Sequence, residues 1–545
     1  MEARNLRQWR SIVPQSIARR LALAHTRATT VGRALPVAWI LFAGLWTYFI
    51  VRRFGWPYSA SDDCYIFMGY AKAAVRQHSL FSYNLGEHSS GTTSILYYYL
   101  LVVASLVVNI LVPSLSMQEV LMLAGQALNC LLFLFLCLVF LSTIAQIAEL
   151  NEMRPATILV LATALFFAHP DFLWGEFAGL EGPLTALLLA VFARSCLFRP
   201  SPIPLATIAA LTVATRPELF PVCALSPLVA VFMRRWWGAA REPRPAGGAG
   251  RELVIAYAVF GGIVTALYLP LRLTAGSWLP ASMGARIELN VTYDPREFVS
   301  RMWSLRRQHW VVVSAALVFA NFCSWSHTTT RRFLSLGLFL CLCFGIRALF
   351  GLSDFSIHDR YVSYFWPLIV ITMVGIAAPT LRSASHWLIA DRPAPIRRAV
   401  ILAGFLAMGA VWCAALIQAT TDLGADIQAM MEVVVGPSQW MQANLPKASQ
   451  VAMEPAGAIR LFTDHYLVDE TGLTTQHLKH PFRTTREYLQ FLDDNHVQYV
   501  FDYEHRLPFL AQPSFERVIS WKLTHPGSWG NICLFRYAAG RQPLS

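Results

Sequence analysis

Charged side chains are scarce in this sequence. They make up 14% of its 545 residues, whereas hydrophobic side chains make up 55%; soluble domains carry roughly 25% charged residues. This balance excludes an ordinary soluble protein and predicts a chain that crosses a membrane several times. The formal net charge is +12, but the arginines cluster beside apolar runs, which is typical of cytoplasmic loops under the positive-inside rule. We therefore expect a lipid bilayer, and no nucleic acid, as a partner.

Two further absences exclude common kinds of site. The ten cysteines contain no C-x-x-C pair, and all but Cys64 and Cys533 lie in apolar runs, so neither a disulfide framework nor a zinc site is indicated. The sequence also has no G-x-G-x-x-G or Walker loop, so a nucleotide-binding domain is not expected.

The order of apolar runs and arginines predicts three regions. Residues 1–34 form a basic, cytoplasmic N-terminus, and residues 35–424 form the membrane domain. Arginine-rich loops alternate with arginine-poor ones, which places the loop at 52–92 and the C-terminal region on the outer side. This topology needs an odd number of spans, so the run at 93–112 is predicted not to cross, and about eleven helices (at most about thirteen) are predicted to cross.

The last region, residues 425–545, differs in composition and predicts a soluble α/β domain on the outer side. Short β-rich runs alternate there with amphipathic helical patterns such as residues 484–494. The β-rich runs are Gln450–Met453, Tyr466–Asp469, Val497–Phe501, Val518–Leu523 and Ile532–Tyr537.

An adjacent acid pair, Asp62 and Asp63, follows the first apolar run and opens a short helical pattern that carries Lys72 and Arg76. One interpretation is structural, because acids are favourable near the N-cap of a helix. The other is catalytic: one carboxylate removes a proton from an acceptor hydroxyl, and the second tunes the pKa of the first or binds a divalent ion.

The acid pair belongs to the run Asp-Asp-Cys-Tyr-Ile-Phe-Met-Gly-Tyr-Ala-Lys, which is followed by Phe-Ser-Tyr-Asn-Leu-Gly-Glu-His-Ser-Ser-Gly-Thr-Thr-Ser. This loop resembles the first outer loop of GT-C type glycosyltransferases, which are integral membrane enzymes that use polyprenyl-phosphate-linked sugars. It is similar in particular to arabinofuranosyltransferases and to protein-mannosyltransferase-like members. Other pieces that fit the resemblance are Ala178–Glu181, Thr215–Glu218, His358–Tyr361, Ala456–Ile459 and Asp469–Leu473.

The resemblance implies roles for particular residues. The first-loop acid is the catalytic base in this family, which implies Asp62 as first choice and Asp63 as second. The later acid, Glu181, would orient the acceptor or help to hold a cation. Glu87 and Tyr65 are expected to contact substrate. The donor phosphate stays negative as the glycosidic bond breaks, so cations on the outer side are expected to bind it. These cations are Arg216, Arg286, Arg360, Lys72, Arg76 and His358.

Each of these expectations has a plainer alternative. An arginine at the outer end of a span also snorkels to lipid head groups, and a histidine such as His358 often only hydrogen-bonds to nearby groups. No cofactor is required, because arginines can bind a monophosphate, but the pair Asp62 and Asp63 leaves Mg²⁺ or Mn²⁺ open as a ligand.

The sequence thus predicts an inverting glycosyltransferase with a GT-C-like polytopic helical fold in the bacterial inner (plasma) membrane. It would move a sugar from a polyprenyl-phosphate donor to a glycan or glycolipid acceptor on the outer face. One alternative is a flippase or transporter of lipid-linked sugars, which would carry acids within its spans and inverted repeats; these spans are nearly free of Asp and Glu. The other is a non-catalytic glycan-assembly subunit of the same fold.

Overall fold

The structure is a computed structural model of the chain. All helices, strands and contacts given for this protein lie within the residues that it describes. These are residues 44, 47, 48, 50–84, 86–151, 153, 155–236, 248–281, 296, 336–345, 363–385, 394–474, 482, 484–504, 510, 512–524 and 530–538.

The described chain is mainly helical up to Met430. The helices begin where the sequence supplies suitable residues: Pro202 occupies the first turn of one helix, and Ser116 and Glu119 form a capping box at the start of another. The helices are α1 (Asp62–Gln77), α2 (Ile95–Leu111), α3 (Met117–Leu150), α4 (Pro155–Phe166), α5 (Pro170–Phe177), α6 (Gly182–Phe198), α7 (Pro202–Thr215), α8 (Phe220–Ala224), α9 (Ser226–Trp236), α10 (Gly248–Ala275), α11 (Trp366–Ser385) and α12 (Ala394–Met430).

Apolar helices give the protein a membrane-type fold. Within the described residues, three helices are long and apolar enough to cross a membrane, and a fourth span results if α5 and α6, bent by 117° at their junction, count as one. The prediction of about eleven spans is therefore met only in part, and several of the predicted runs lie outside the described residues. The first is α3, Met117–Leu150. The second, Pro217–Arg234, takes in α8 and most of α9, and the third, Ala249–Ala275, is α10 without its first residue.

The connection between the helices and the C-terminal region is itself helical. Helix α12 runs through residue 425, where the sequence predicts a new domain, and continues as a π-helical turn, Met431–Val435, into α13 (Gly436–Asn444). The change in composition near 425 thus falls inside a helix.

A five-stranded sheet forms the C-terminal domain, and each of the five predicted β-rich runs overlaps one strand, so that prediction is confirmed. The strand order is β2-β1-β3-β5-β4. The first three strands are parallel, and β5 pairs antiparallel with β3 and β4. The strands are β1 (Gln450–Met453), β2 (Tyr466–Asp469), β3 (Tyr499–Tyr503), β4 (Phe515–Trp521) and β5 (Ile532–Tyr537).

Two helices accompany this sheet. Helix α14 (Ala458–Phe462) connects β1 to β2, and α15 (Thr485–Asp494) connects β2 to β3. Helix α15 buries its apolar face, which includes Leu492, in the same core as Val500 and Cys533, as its amphipathic pattern predicts. Since β2 and β3 lie on opposite sides of β1, the chain reverses direction across the sheet. In open α/β sheets such a reversal leaves a crevice at the carboxyl ends of the strands.

Candidate active site

The first-loop acid Asp62 lies at the carboxyl end of the sheet. Its Oδ2 accepts a hydrogen bond from the N–H of Gly457, and its Oδ1 accepts one from the N–H of Ala458, both at 2.8 Å. These amides are at the start of α14, so the carboxylate caps that helix. A Cβ at Gly457 would lie 1.9 Å from the carbonyl oxygen of Asp62. Only glycine therefore permits this approach.

Burial governs the protonation of Asp62. The residue is 7% exposed, and burial raises the pKa of its carboxyl to about 7, against the lowering effect of the two backbone hydrogen bonds. The neighbouring Asp63 is half-buried. The structural interpretation predicts an acid near the start of its own helix, and Asp62 does lie in the first turn of α1. It also caps α14, a helix of the distant sheet domain.

Lys72 holds the opposite end of α14. The residue is 3% exposed, and burial lowers the pKa of its ammonium while Asp464 opposes that effect. Its donors are bound within the sheet domain, although the sequence predicts a role in phosphate binding. Nζ donates to Oδ1 of Asp464 at 3.0 Å and to the carbonyl oxygens of Leu461 at 3.1 Å, Thr463 at 3.3 Å and Arg460 at 3.4 Å.

The remainder of the loop covers the edge strand β2. Asn84 pairs with the backbone of Leu467 in both directions: Nδ2 donates to its carbonyl at 2.8 Å and Oδ1 accepts from its N–H at 3.0 Å. Glu87, predicted to contact substrate, accepts hydrogen bonds from Asn84 at 3.0 Å and from the hydroxyl of Tyr466 at 2.9 Å. An edge that would otherwise expose backbone groups is thereby satisfied.

Two other predicted site residues on α1 differ in exposure. Tyr65 is fully buried; its hydroxyl accepts from the N–H of Ser59 at 2.9 Å, and its ring lies edge-on to Phe462 with 6.0 Å between centroids. Arg76 is exposed in the last turn of the helix. The packing of Tyr65 leaves its ring no face for a sugar in this structure, whereas Arg76 is accessible.

The turn between α5 and α6 packs against the residue after the acid pair. The thiol of Cys64 donates to the carbonyl of Gly179 at 2.8 Å, and the hydroxyl of Tyr97 donates to the same oxygen at 2.9 Å. Gly179 has φ +83°, and a Cβ there would lie 2.6 Å from the sulfur of Cys64. Glycine is thus needed for both the conformation and the close contact, and Glu181 is brought close to α1.

Glu181 and Arg216 form a buried ion pair. Their side chains approach to 2.7 Å between Oε1 and Nη2, and the residues are 4% and 5% exposed. Glu218 lies 3.6 Å from the same guanidinium, and the ring of Tyr364 lies 5.0 Å away on its face. The predicted acceptor-orienting acid and one predicted phosphate-binding cation therefore contact each other. Three others, Arg286, His358 and Arg360, lie outside the described residues.

Further acids lie with the acid pair around Tyr503, near the carboxyl ends of the strands. Glu454 follows β1 and Asp502 lies near the end of β3. Burial, and then the negative charges of Asp62, Glu454, Asp502 and Asp63, raise the pKa of Tyr503. Even so, within the part of the chain that the structure describes, no group of three or more His, Cys, Asp or Glu side chains is placed to hold a metal ion. The metal role of the acid pair stays a prediction.

Comparison with known proteins gives a family match for the C-terminal region and a structural similarity over most of the chain. Residues 421–542 match a family described as a domain of unknown function (DUF8728). The chain is also similar to the crystal structure of the oligosaccharyltransferase of Archaeoglobus fulgidus in its apo form. The identity is 11% and the TM-score 0.49, over 93% of this chain and 74% of that chain. A search of curated proteins by sequence finds no match.

Sequence reasoning locates the acid pair but misses its partners. Gly457 and Ala458 are separated from Asp62 by almost the whole membrane domain, and only their short Ala-Gly-Ala-Ile run points to them. Asn84 lies among turn-forming residues, which gives no sign that it pairs with a β-strand. The catalytic and phosphate-binding roles predicted for the site residues stay predictions.

Proposed function

We propose that this chain is an inverting membrane glycosyltransferase of the GT-C type. It transfers a sugar from a polyprenyl-phosphate donor to a hydroxyl of a glycan or glycolipid on the outer face of the bacterial inner membrane. One observation carries the proposal: four short segments that the sequence singles out separately are linked by a chain of direct contacts that runs from the helices to the sheet domain. They are the acid pair, Ala178–Glu181, Thr215–Glu218 and Ala456–Ile459.

The acid pair supplies the base in this proposal. The acceptor oxygen attacks the anomeric carbon of the donor, its proton passes to a carboxylate, and the bond to the phosphate oxygen breaks with its electron pair on the phosphate. Asp62 has the raised pKa that suits a base near neutral pH, but both its oxygens accept backbone hydrogen bonds and it is 7% exposed. We therefore assign the proton transfer to Asp63, which is half-buried, and a positioning role to Asp62. This exchanges the order of preference that the family resemblance implies.

The departing phosphate is stabilised by guanidinium groups in this proposal. Arg216 is fixed by Glu181 at 2.7 Å and joins the acid pair through the turn at Gly179. A planar guanidinium suits a phosphate because its fork of donors matches two phosphate oxygens. Arg286 and Arg360 are proposed as further partners of the phosphate. Lys72 is assigned to domain packing, because its ammonium binds the end of α14.

The experiment is a transfer assay with the full chain reconstituted in proteoliposomes. A panel of labelled polyprenyl-phosphate sugars is supplied with lipid and glycan extracts as acceptors, and proteoliposomes with the Asp63→Asn variant serve as the control. The proposal expects label to pass from one donor to an acceptor with the parent chain only. Hydrolysis without transfer would contradict it. Equal transfer by both preparations would contradict the role of Asp63 as the base.

One observation favours a second candidate, a non-catalytic assembly subunit. The carboxylate of Asp62 joins the outer loop to the sheet domain, so it has a structural reason to be acidic that needs no catalysis. A subunit of this kind would bind glycan but give no transfer with any donor of the panel.

A further inference from the structure

A cavity of about 520 Å³ lies apart from the ion pair and the acid pair, beside the end of α14. The segment after the first predicted span, the start of α3 and helix α13 line it, and it is open on one side. Its volume falls within the roughly 300–1,000 Å³ that is usual for small-molecule sites. The interactions assigned to the proposed reaction do not use it.

The wall of the cavity combines aromatic rings with amides. Trp56, Tyr58 and Phe462 supply rings, and Tyr58 and Phe462 lie 6.4 Å apart between centroids. The amides belong to Gln118, Gln439 and Gln442. Rings pack against an apolar face, and an amide both donates and accepts hydrogen bonds, as hydroxyl groups require. A sugar ring, which has a C–H face and a rim of hydroxyls, matches both kinds of group.

The charge of the wall disfavours an anionic ligand. Among the described residues, those that line the cavity include one carboxylate, Glu119, and no Lys or Arg. One oxygen of Glu119 accepts a hydrogen bond from the N–H of Ser116 at 2.7 Å, so the carboxylate is held in place. A phosphate in this cavity would lose its hydration and face the like charge of Glu119. A neutral ligand meets neither penalty.

One short helix, α14, separates the cavity from the acid pair. Phe462, at the C-terminal end of α14, forms part of its wall, and Asp62 caps the N-terminal end of the same five-residue helix. Such a helix is about 7.5 Å long at 1.5 Å per residue. Sites at the two ends of α14 are therefore separated by about the length of one or two sugar units.

We propose that this cavity binds a neutral sugar unit of the acceptor glycan, one or two units away from the hydroxyl that reacts. The identification of the bound sugar as part of the acceptor rests on the proposed function, but the binding itself needs neither donor nor turnover. It predicts an enzyme that uses an oligosaccharide acceptor better than a single sugar.

The test is direct binding to the full chain in lipid nanodiscs, measured by saturation-transfer NMR and calorimetry without donor. The probes are neutral trisaccharides of glucose, mannose, galactose or arabinose, each with a counterpart that carries a uronic acid. We expect at least one neutral probe to bind, its counterpart to bind more weakly, and the Gln118→Ala/Gln439→Ala double variant to lose about tenfold in affinity. Gln490→Ala, an exposed glutamine on α15, is the matched control and should bind like the parent.

Three results would overturn the inference: no neutral probe binds, the uronic acid counterpart binds better, or the double variant binds like the parent. If the double variant melts at a lower temperature than the parent, Tyr58→Phe replaces it, since that change keeps the ring and removes the hydroxyl that bonds to Gln439. The two proposals fail separately. Binding without transfer would contradict the enzyme and keep the sugar site, whereas transfer without binding would contradict the sugar site alone.

Discussion

Asp62 and Lys72 lie about three turns apart on α1 and bind opposite ends of one short helix, α14. The carboxylate meets the N–H groups at its start, and the ammonium meets the carbonyls at its end, as the charges of a helix's termini favour. Helix α1 and the sheet domain are thus joined by two buried charged groups of opposite sign. The position of the sheet domain depends on both.

Replacing Lys72 tests this joint. Lys72→Met keeps most of the apolar stem but leaves the carbonyls at the end of α14 without their donor, so we expect a loss of about 2–3 kcal/mol in the free energy of unfolding. Thermal melting and limited proteolysis of the sheet domain would measure it. Arg76→Met, on the exposed last turn of the same helix, should change stability by no more than about 0.5 kcal/mol. Equal melting temperatures for the two variants would contradict the assignment.

Substitutions of the two acids are expected to change different properties, the transfer rate for Asp63 and the stability for Asp62. Asp63→Asn should lower transfer by about 10²–10⁴-fold, the contribution of a general base, and should lower stability less than Asp62→Asn does. Asp62→Asn places an amide donor against a backbone N–H and should cost about 1–3 kcal/mol of stability. Transfer rates per folded molecule measure the first effect, and melting curves measure the second. An Asp62→Asn variant that is stable but inactive would restore Asp62 as the base, as the family resemblance implies.

The local structure of this chain can be predicted from its sequence better than its contacts can. The strands and α15 follow from alternating and amphipathic patterns, and their predicted positions agree with the structure. The bond between Asp62 and Gly457 joins residues 395 positions apart, and no local pattern encodes it. Lys72 illustrates the consequence. A cation on a helix predicted to lie on the outer side suggests a phosphate ligand, whereas the structure gives its ammonium four acceptors in the sheet domain.

The protonation of Asp62 should make the joint sensitive to pH. Burial raises the pKa of this carboxyl from 3.8 to about 7, so between these values the folded chain binds more protons than the unfolded chain does. Its contribution to stability is therefore fully present below about pH 4 and is lost as the pH rises through 7. Melting temperatures from pH 5 to 8 should fall with rising pH more steeply in the parent than in Asp62→Asn. Parallel curves for the two proteins would exclude this titration.

Gly457 should tolerate no side chain. In Gly457→Ala the new Cβ would meet the backbone oxygen of Asp62 at 1.9 Å, and backbone cannot rotate away as a side chain can. We expect at least about 1–3 kcal/mol of destabilisation from overpacking, together with displacement of α14. Gly261→Ala on α10, where a Cβ meets nothing within 4 Å, is the matched control. Melting of the two variants is compared, and a Gly457→Ala protein as stable as the control would refute the close approach.

The effects on stability of substitutions at Glu181 and Arg216 should depend strongly on each other. Arg216→Met removes the cation from two acids and should cost about 3–5 kcal/mol. Glu181→Leu should cost less, because Glu218 still lies 3.6 Å from the guanidinium, and the double variant should recover part of the Arg216→Met loss because the buried charge of Glu181 is gone. Melting of the four proteins gives the coupling. Transfer assays on the double variant then separate packing from chemistry: if Arg216 stabilises the departing phosphate, the double variant is folded but has lost turnover. A folded double variant with parental activity would leave the pair a purely structural role and remove Arg216 from the proposed reaction.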